Sequence, residues 1–263
     1  MSRPMPTFGG TVAAAATLTL IRLRRGRSIW FAVAIAVLLL GAAVAIRLGT
    51  HVDPKTLWDA MIDYPMRRVL VFLAPFLFCA TALSEEIEAR TATYLFSRPA
   101  SRGAILFGKW VAGAGLAAAV VCGSVLVLWI VCWSSGSEAI TAATAVRAIG
   151  SFGLATVCYG AMFLCFGVML VDAPYLLCVL WVGIVELAVS FLPGVIKFAS
   201  MSTHLGNLLE KNEEAPPAMP FLASWNPTVP AWASACVLAV VGAAFLLVAT
   251  SLAAGSEVRT GKA

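Results

Sequence analysis

Gly103, Gly108 and Lys109 stand at the spacing G-x-x-x-x-G-K, the spelling of a loop that cradles nucleotide phosphates. Such a loop needs Ser or Thr after the lysine to hold magnesium, a buried strand before it, and a permissive backbone between the glycines. Here Trp110 follows Lys109 and cannot ligate a metal, and Ala104, Ile105, Leu106 and Phe107 fill the interval with apolar bulk. Nucleotide chemistry on this chain is therefore not expected. Other reactive residues are sparse. The two histidines are His51 and His204, and Glu186 is the one carboxylate inside a long apolar run. An intramembrane enzyme would need clustered Asp, His or Ser at helical spacing, and none occurs. The seven cysteines contain no C-x-x-C and no Cys/His cluster, which argues against a metal site or a disulfide scaffold. They read as small packing residues between helices. Neither a cofactor nor a nucleic-acid partner is expected on this chain.

These residues are set in an unusually apolar polymer. Of 263 residues, 61% are hydrophobic and 12% charged, and the mean hydropathy is +0.93. Soluble domains carry about 25% charged residues, so much of the solvent must be lipid. Six runs read as spanning helices: 29–46, 69–84, 104–133, 148–171, 174–192 and 230–254. A crossing takes about 20 residues. The second run falls short, so Arg67 and Arg68 are expected to snorkel toward the headgroups beside it. Pro75 near its middle predicts a kink. The third run is overlong and should begin outside the hydrocarbon.

The first span has Arg22, Arg24, Arg25 and Arg27 before it and Arg47 after it, which orients both termini toward the cytoplasm. Arg67 and Arg68 run against this rule, although Asp63 lies one helical turn before Arg67 and can pair with it. Residues 7–27 read as a helix lying on the inner surface, arginines toward anionic lipid. The outer segment 193–229 places Val195, Ile196, Ala199, Leu205, Leu208 and Leu209 at roughly helical spacing, followed by EEAPPAMP. An interfacial helix is expected there, with a docking face for an extracytoplasmic partner as the alternative. The domain reading is a tail and interfacial helix over 1–28 and a six-span domain over 29–263.

Between spans two and three the chain reads SEEIEARTATYLFSRPASRGAILFGK. Ser84 can cap a helix whose first turn holds Glu85, Glu86 and Glu88. Ile87, Thr91, Tyr94 and Leu95 form an apolar stripe, and Pro99 disfavours a helical Arg98. A second helix then starts near Ser101 or Arg102. The segment thus reads as a short amphipathic helix, a sharp turn and a re-entering span.

The pattern R-T-x-x-Y-L-F-S-R-P-A-S-R-x-x-I-L-x-G-K, after a Glu-bearing span end, resembles the signature of ABC type-2 permeases. It is particularly similar to the branch containing the membrane subunit of the nitrous-oxide-reductase maturation transporter. The resemblance implies an all-α integral membrane fold with six spans, an N-terminal interfacial helix and a cytoplasmic coupling helix in region 84–103. Glu85, Glu88, Arg90, Tyr94, Leu95, Arg98, Pro99 and Arg102 match the family's coupling region. On that reading Tyr94, Leu95 and Phe96 anchor in a groove of a separate ATPase, and charged neighbours set the register. Gly108 would let helices approach closely, and Lys109 would snorkel to lipid phosphate.

The resemblance further implies an exporter-type permease, not itself an enzyme, in a bacterial inner membrane. Two ATPase subunits, carrying ATP and Mg, would pair with two permease copies, read as a homodimer. Glu186 is a candidate for a substrate or gating role, against pairing with an outer basic residue. An alternative function is a mechanical relay that energises an extracytoplasmic partner through 193–229 and moves no solute.

Overall fold

The computed structural model describes residues 7–50, 52–81, 101–134, 140–170, 173–189, 194–210 and 229–255. All regular structure among them is helical. The helices are α1 (Phe8–Arg25), α2 (Arg27–Gly49), α3 (Pro54–Met61), α4 (Val71–Cys79), α5 (Arg102–Trp133), α6 (Ala142–Met169), α7 (Pro174–Trp181), α8 (Met201–Leu208) and α9 (Ala231–Gly255). A π-helix, Ile62–Leu70, joins α3 to α4, and a second, Val182–Ala188, extends α7. A 3₁₀ turn, Gly194–Ala199, precedes α8.

Local chemistry sets most of the starts. Thr7 caps α1 through Gly10 N–H, Asp53 caps α3 with Pro54 in the first turn, and Thr141 caps α6. Ser101 caps α5 by accepting from Ala104 N–H, where the sequence places a helix start. Each satisfies donors that the first helical turn leaves open.

Four helices are long and apolar enough to cross a membrane: α2, α5, α6 and most of α9. Their limits lie close to four of the expected runs. In α6, 72% of the apolar window is buried, against 17% in α2 and in α9. Thus α6 is the central post. Around it stand α4, α5, α8 and α9, while α2 turns Trp30, Phe31, Val37 and Leu38 outward.

Close packing rests on small residues, as expected where lipid supplies no hydrophobic drive between helices. A side chain at Gly167 of α6 would sit on the carbonyl oxygen of Ala80. At Gly242 of α9 a Cβ would come 2.9 Å from Cys158 Sγ, and Cys79 touches the corresponding positions of both Gly113 and Gly160. Cys79 and Cys158 thus fill helix–helix contacts, in keeping with the packing role expected for the cysteines. Gly108 makes the closest approach at the start of α5, where its Cβ would be 2.5 Å from Val12 O and 2.8 Å from Ala15 Cβ of α1.

The second helix departs from the sequence expectation. It runs without interruption from Pro54 to Cys79, well upstream of the 69–84 run. Arg67 lies inside it at 1% exposure, paired with Asp63 at 2.8 Å. Arg67 is buried rather than snorkelled. The reason is the π turn, which sets Ile62, Met66, Arg67 and Leu70 inward together and gives the guanidinium a carboxylate one turn away. Lys109, at 3% exposure, is likewise buried instead of reaching outward. The outer segment also differs: Met201 to Gly206 of α8 are all buried, so this helix folds into the bundle rather than lying on an interface.

Candidate functional site

Two ends of the bundle carry the residues of interest. At one end, Gly108 of α5 packs on α1, and Gly103 of α5 lies 3.7 Å, by its notional Cβ, from Thr250 near the end of α9. The last turn of α4 meets α5 at Gly113. The start of α5 therefore lies at the end of the bundle that also holds α1 and the finish of α9. Glu85, Glu88, Arg90, Tyr94, Leu95, Phe96, Arg98 and Pro99 fall outside the described residues. Arg102 is the first residue of α5 and is half-buried. Gly103, Gly108 and Lys109 all lie on one α-helix. The N–H groups of Gly108 and Lys109 lie past the first turn and are committed to that helix, so the motif forms no phosphate-cradling loop.

The opposite end is defined by α8. His204 and Asn207 of α8 bond to Ser234 at the start of α9, about 24 Å along α9 from Thr250 at 1.5 Å per residue. Here Glu186 projects from the second π-helix and is 1% exposed. Its Oε2 accepts from Ser200 Oγ at 2.7 Å and from Ser202 N–H at 2.9 Å, and its Oε1 accepts from Met201 N–H at 3.2 Å. Ser200 is the N-cap of α8 but makes no side-chain cap of its own. The carboxylate from another helix performs that role, with the sign that a helix N-terminus favours.

Tyr159 of α6, fully buried, presents its hydroxyl toward Glu186 and within the field of Arg67. Both π segments, one bearing Asp63 and Arg67 and the other Glu186, thus contribute to one polar cluster at the α8 end of an apolar bundle. π-Bulges occur frequently at functional sites. His204 Nε2 donates to the Phe198 carbonyl at 3.0 Å, which leaves Nδ1 of the neutral ring to accept from Ser234 Oγ at 3.2 Å. Burial lowers the His204 pKa below 6.5, against the opposing pull of the Phe198 carbonyl and of Glu186.

Beside the cluster a groove of about 320 Å³ runs between α4 with its preceding π-helix and α7 with its π extension. Phe72, Phe76, Phe163, Val179 and Val182 line it, and Arg68 and Leu187 lie toward the polar cluster. Its wall is almost wholly apolar.

Sequence reading singled out Glu186 and the Asp63–Arg67 pair, and the tertiary structure brings the two together. It missed Tyr159, which lies in an apolar run like any packing aromatic, and it missed Ser200 and Ser202 as partners of Glu186. No group of three or more His, Cys, Asp or Glu among the described residues could hold a metal ion. What the arrangement does is hold one helix against another.

The described residues form an all-helical bundle with four helices long and apolar enough to cross a membrane. Residues 20–196 match the family described as ABC-2 family transporter protein. The chain belongs to that family, and with it to the permease subunits of ABC transporters, whose partner is an ABC ATPase. No curated protein matches the sequence significantly.

Proposed function

We infer that this chain is the membrane subunit of an ATP-driven exporter and that it crosses the membrane six times. The broken helices 54–79 and Pro174–Ala188 serve as spans two and five beside the four long ones. Two copies pair as a homodimer with two ATPase subunits, which bind ATP and Mg. The membrane is a bacterial inner membrane, and the end with α1 and the finish of α9 faces the cytoplasm. The branch containing the nitrous-oxide-reductase maturation transporter remains the subfamily that the 84–109 pattern favours. The observation that carries the reading is the family match over residues 20–196, which includes the whole connection between α4 and α5.

On this reading segment 82–100 docks on the ATPase. Tyr94, Leu95 and Phe96 anchor it, and Glu85, Glu88, Arg90, Arg98, Pro99 and Arg102 set its register. Nucleotide-driven closure of the ATPases moves α5 from its cytoplasmic end. The apolar groove beside Phe72 and Val179 suits an amphiphile or another hydrophobic cargo. A mechanical relay would need an outer surface free for a partner. The burial of α8 in the bundle favours transport over the relay. The test is Tyr94→Ala combined with Arg98→Ala in the complex reconstituted in lipid. Assembly and coupled ATPase activity are expected to fall at least tenfold, and unchanged coupling would refute the docking assignment.

A further inference from the structure

The groove of about 320 Å³ beside the polar cluster opens on the flank of the bundle, where Val69, Val179 and Leu187 are exposed. Its floor is aromatic and braced. Phe76 meets Phe163 edge-on at 5.9 Å and Tyr175 at 5.1 Å, and Phe72 meets Tyr159 at 4.7 Å. Closing the gap by turning these rings would break those contacts. An empty gap forfeits dispersion contacts along its wall, and so apolar a wall offers water no partners. In a bundle that crosses a membrane the filling is therefore hydrocarbon.

A lipid tail gains little by leaving one hydrocarbon environment for another, so the apolar wall alone does not select its occupant. Arg68 does. It is the charged residue among those described as lining the groove, and it is half-buried. The charges around it are matched within the protein: Asp63 pairs with Arg67, and Glu186 accepts from the N-terminus of α8. A guanidinium presents five N–H donors in a planar fork that fits a phosphate. Direction matters as well. From Arg68 to Phe76 one wall runs about 12 Å away from the α8 end at 1.5 Å per residue, and the opposite wall returns from Val179 to Leu187. A phospholipid of the leaflet at the α8 end has the same order, headgroup at the end of the bundle and chain toward its middle. With a methylene close to water in size, at about 30 Å³, the groove holds on the order of ten of them, enough for one chain and too little for two.

We propose that the groove is a binding site for an anionic phospholipid of the leaflet at the α8 end, with one acyl chain along Phe72 and Phe76 and the phosphate on Arg68. A zwitterionic headgroup carries the same phosphate beside its own cation, so the site prefers net negative charge. This gives the amphiphile of the permease reading a chemical class, and it rests only on the chain's crossing of a membrane. Gly183 lies on the same wall, and a Cβ there meets nothing within 4 Å. A larger side chain at that position takes up groove space without displacing protein.

The experiment uses the full chain purified with its ATPase partner, stripped of lipid by detergent exchange and offered phosphatidylglycerol and phosphatidylcholine of the same acyl chains in equal amounts. Native mass spectrometry counts the lipids retained per chain. The parent is expected to retain phosphatidylglycerol about fivefold or more over phosphatidylcholine, a preference of the size a charged contact gives. Arg68→Gln should lose that preference and keep the phosphatidylcholine level. Gly183→Phe should lower retention of both lipids by a similar factor. Gly115→Phe adds the same ring to an exposed site on α5 with nothing within 4 Å, and should change neither. No preference in the parent, or one that survives Arg68→Gln, overturns the headgroup assignment. Retention unchanged by Gly183→Phe overturns the groove as the site. If Gly183→Phe instead separates paired permease copies while the lipid count holds, a second copy of the chain covers the groove and the lipid site is overturned. Should Gly183→Phe fail to assemble, the parent and Arg68→Gln decide. Coupled ATPase activity is read in the same samples, so a failed permease reading, with no coupling, is told apart from a groove that holds no lipid.

Discussion

Replacing Gly108 by alanine adds one methyl where α1 meets α5, and the structure sets its cost. The new Cβ would lie 2.5 Å from Val12 O, 2.8 Å from Ala15 Cβ and 3.2 Å from Ala16 N. The first two are shorter than carbon contacts tolerate, and all three neighbours belong to the backbone or first side-chain atom of α1. No rotamer change relieves them, so α1 must move away as a unit. Overpacking of this kind costs about 1–3 kcal/mol, partly offset by the gain of about 0.8–1 kcal/mol when alanine replaces a helical glycine. A net loss of up to about 2 kcal/mol is expected. Gly115 provides the internal control. It lies on the same helix, is exposed, and has nothing within 4 Å of its Cβ position. Gly115→Ala should therefore keep the helix gain alone and stabilise by about 0.5–1 kcal/mol. The two variants are compared by tryptophan-monitored thermal unfolding in nanodiscs at one scan rate, since unfolding here can be irreversible. An apparent midpoint for Gly108→Ala at or above that of Gly115→Ala would refute the close approach of α1 and α5.

Asp63→Asn removes a counter-charge from Arg67, which is 1% exposed. Because Asp63 itself is 27% exposed, a loss of about 2–3 kcal/mol is expected, at or below the range for a fully buried pair. Arg67→Met made together with it should recover most of that loss in a double-mutant cycle, and additive losses would contradict the pairing. Stability should also depend on His204 in acid. Burial holds its folded pKa below 6.5, so the unfolded chain takes up the proton first, and stability falls as pH drops below about 6.5 toward the lowered native value. Above that window the contribution is level. Unfolding midpoints between pH 8 and 5 should therefore decline less in His204→Gln than in the parent, and parallel curves would exclude His204 as the sensor.

The sequence alone determined the solvent and much of the scaffold. An apolar run of spanning length has only one way to satisfy its backbone in lipid, so α2, α5, α6 and α9 were legible to within a few residues. A helix over 7–27 and a second start near Ser101 or Arg102 depend on local chemistry and were readable, and the family resemblance pointed to Gly108 as a close contact. The segment proposed to dock on the ATPase was legible only as a pattern, and its residues up to Pro99 lie outside the described structure. What the sequence did not determine was which side of each span faces the bundle. A helix apolar on every face carries no stripe to mark its buried side, because lipid and protein interior are equally acceptable to leucine. For the same reason Arg67 read as the edge of a span and Tyr159 as one packing aromatic among many. Only the tertiary fold, by bringing two π-helical segments, α6 and α8 to one end of the bundle, decided that Asp63, Arg67, Tyr159 and Glu186 are neighbours. A buried charge must find its partners wherever the chain returns, and that return is not written in any local run of residues.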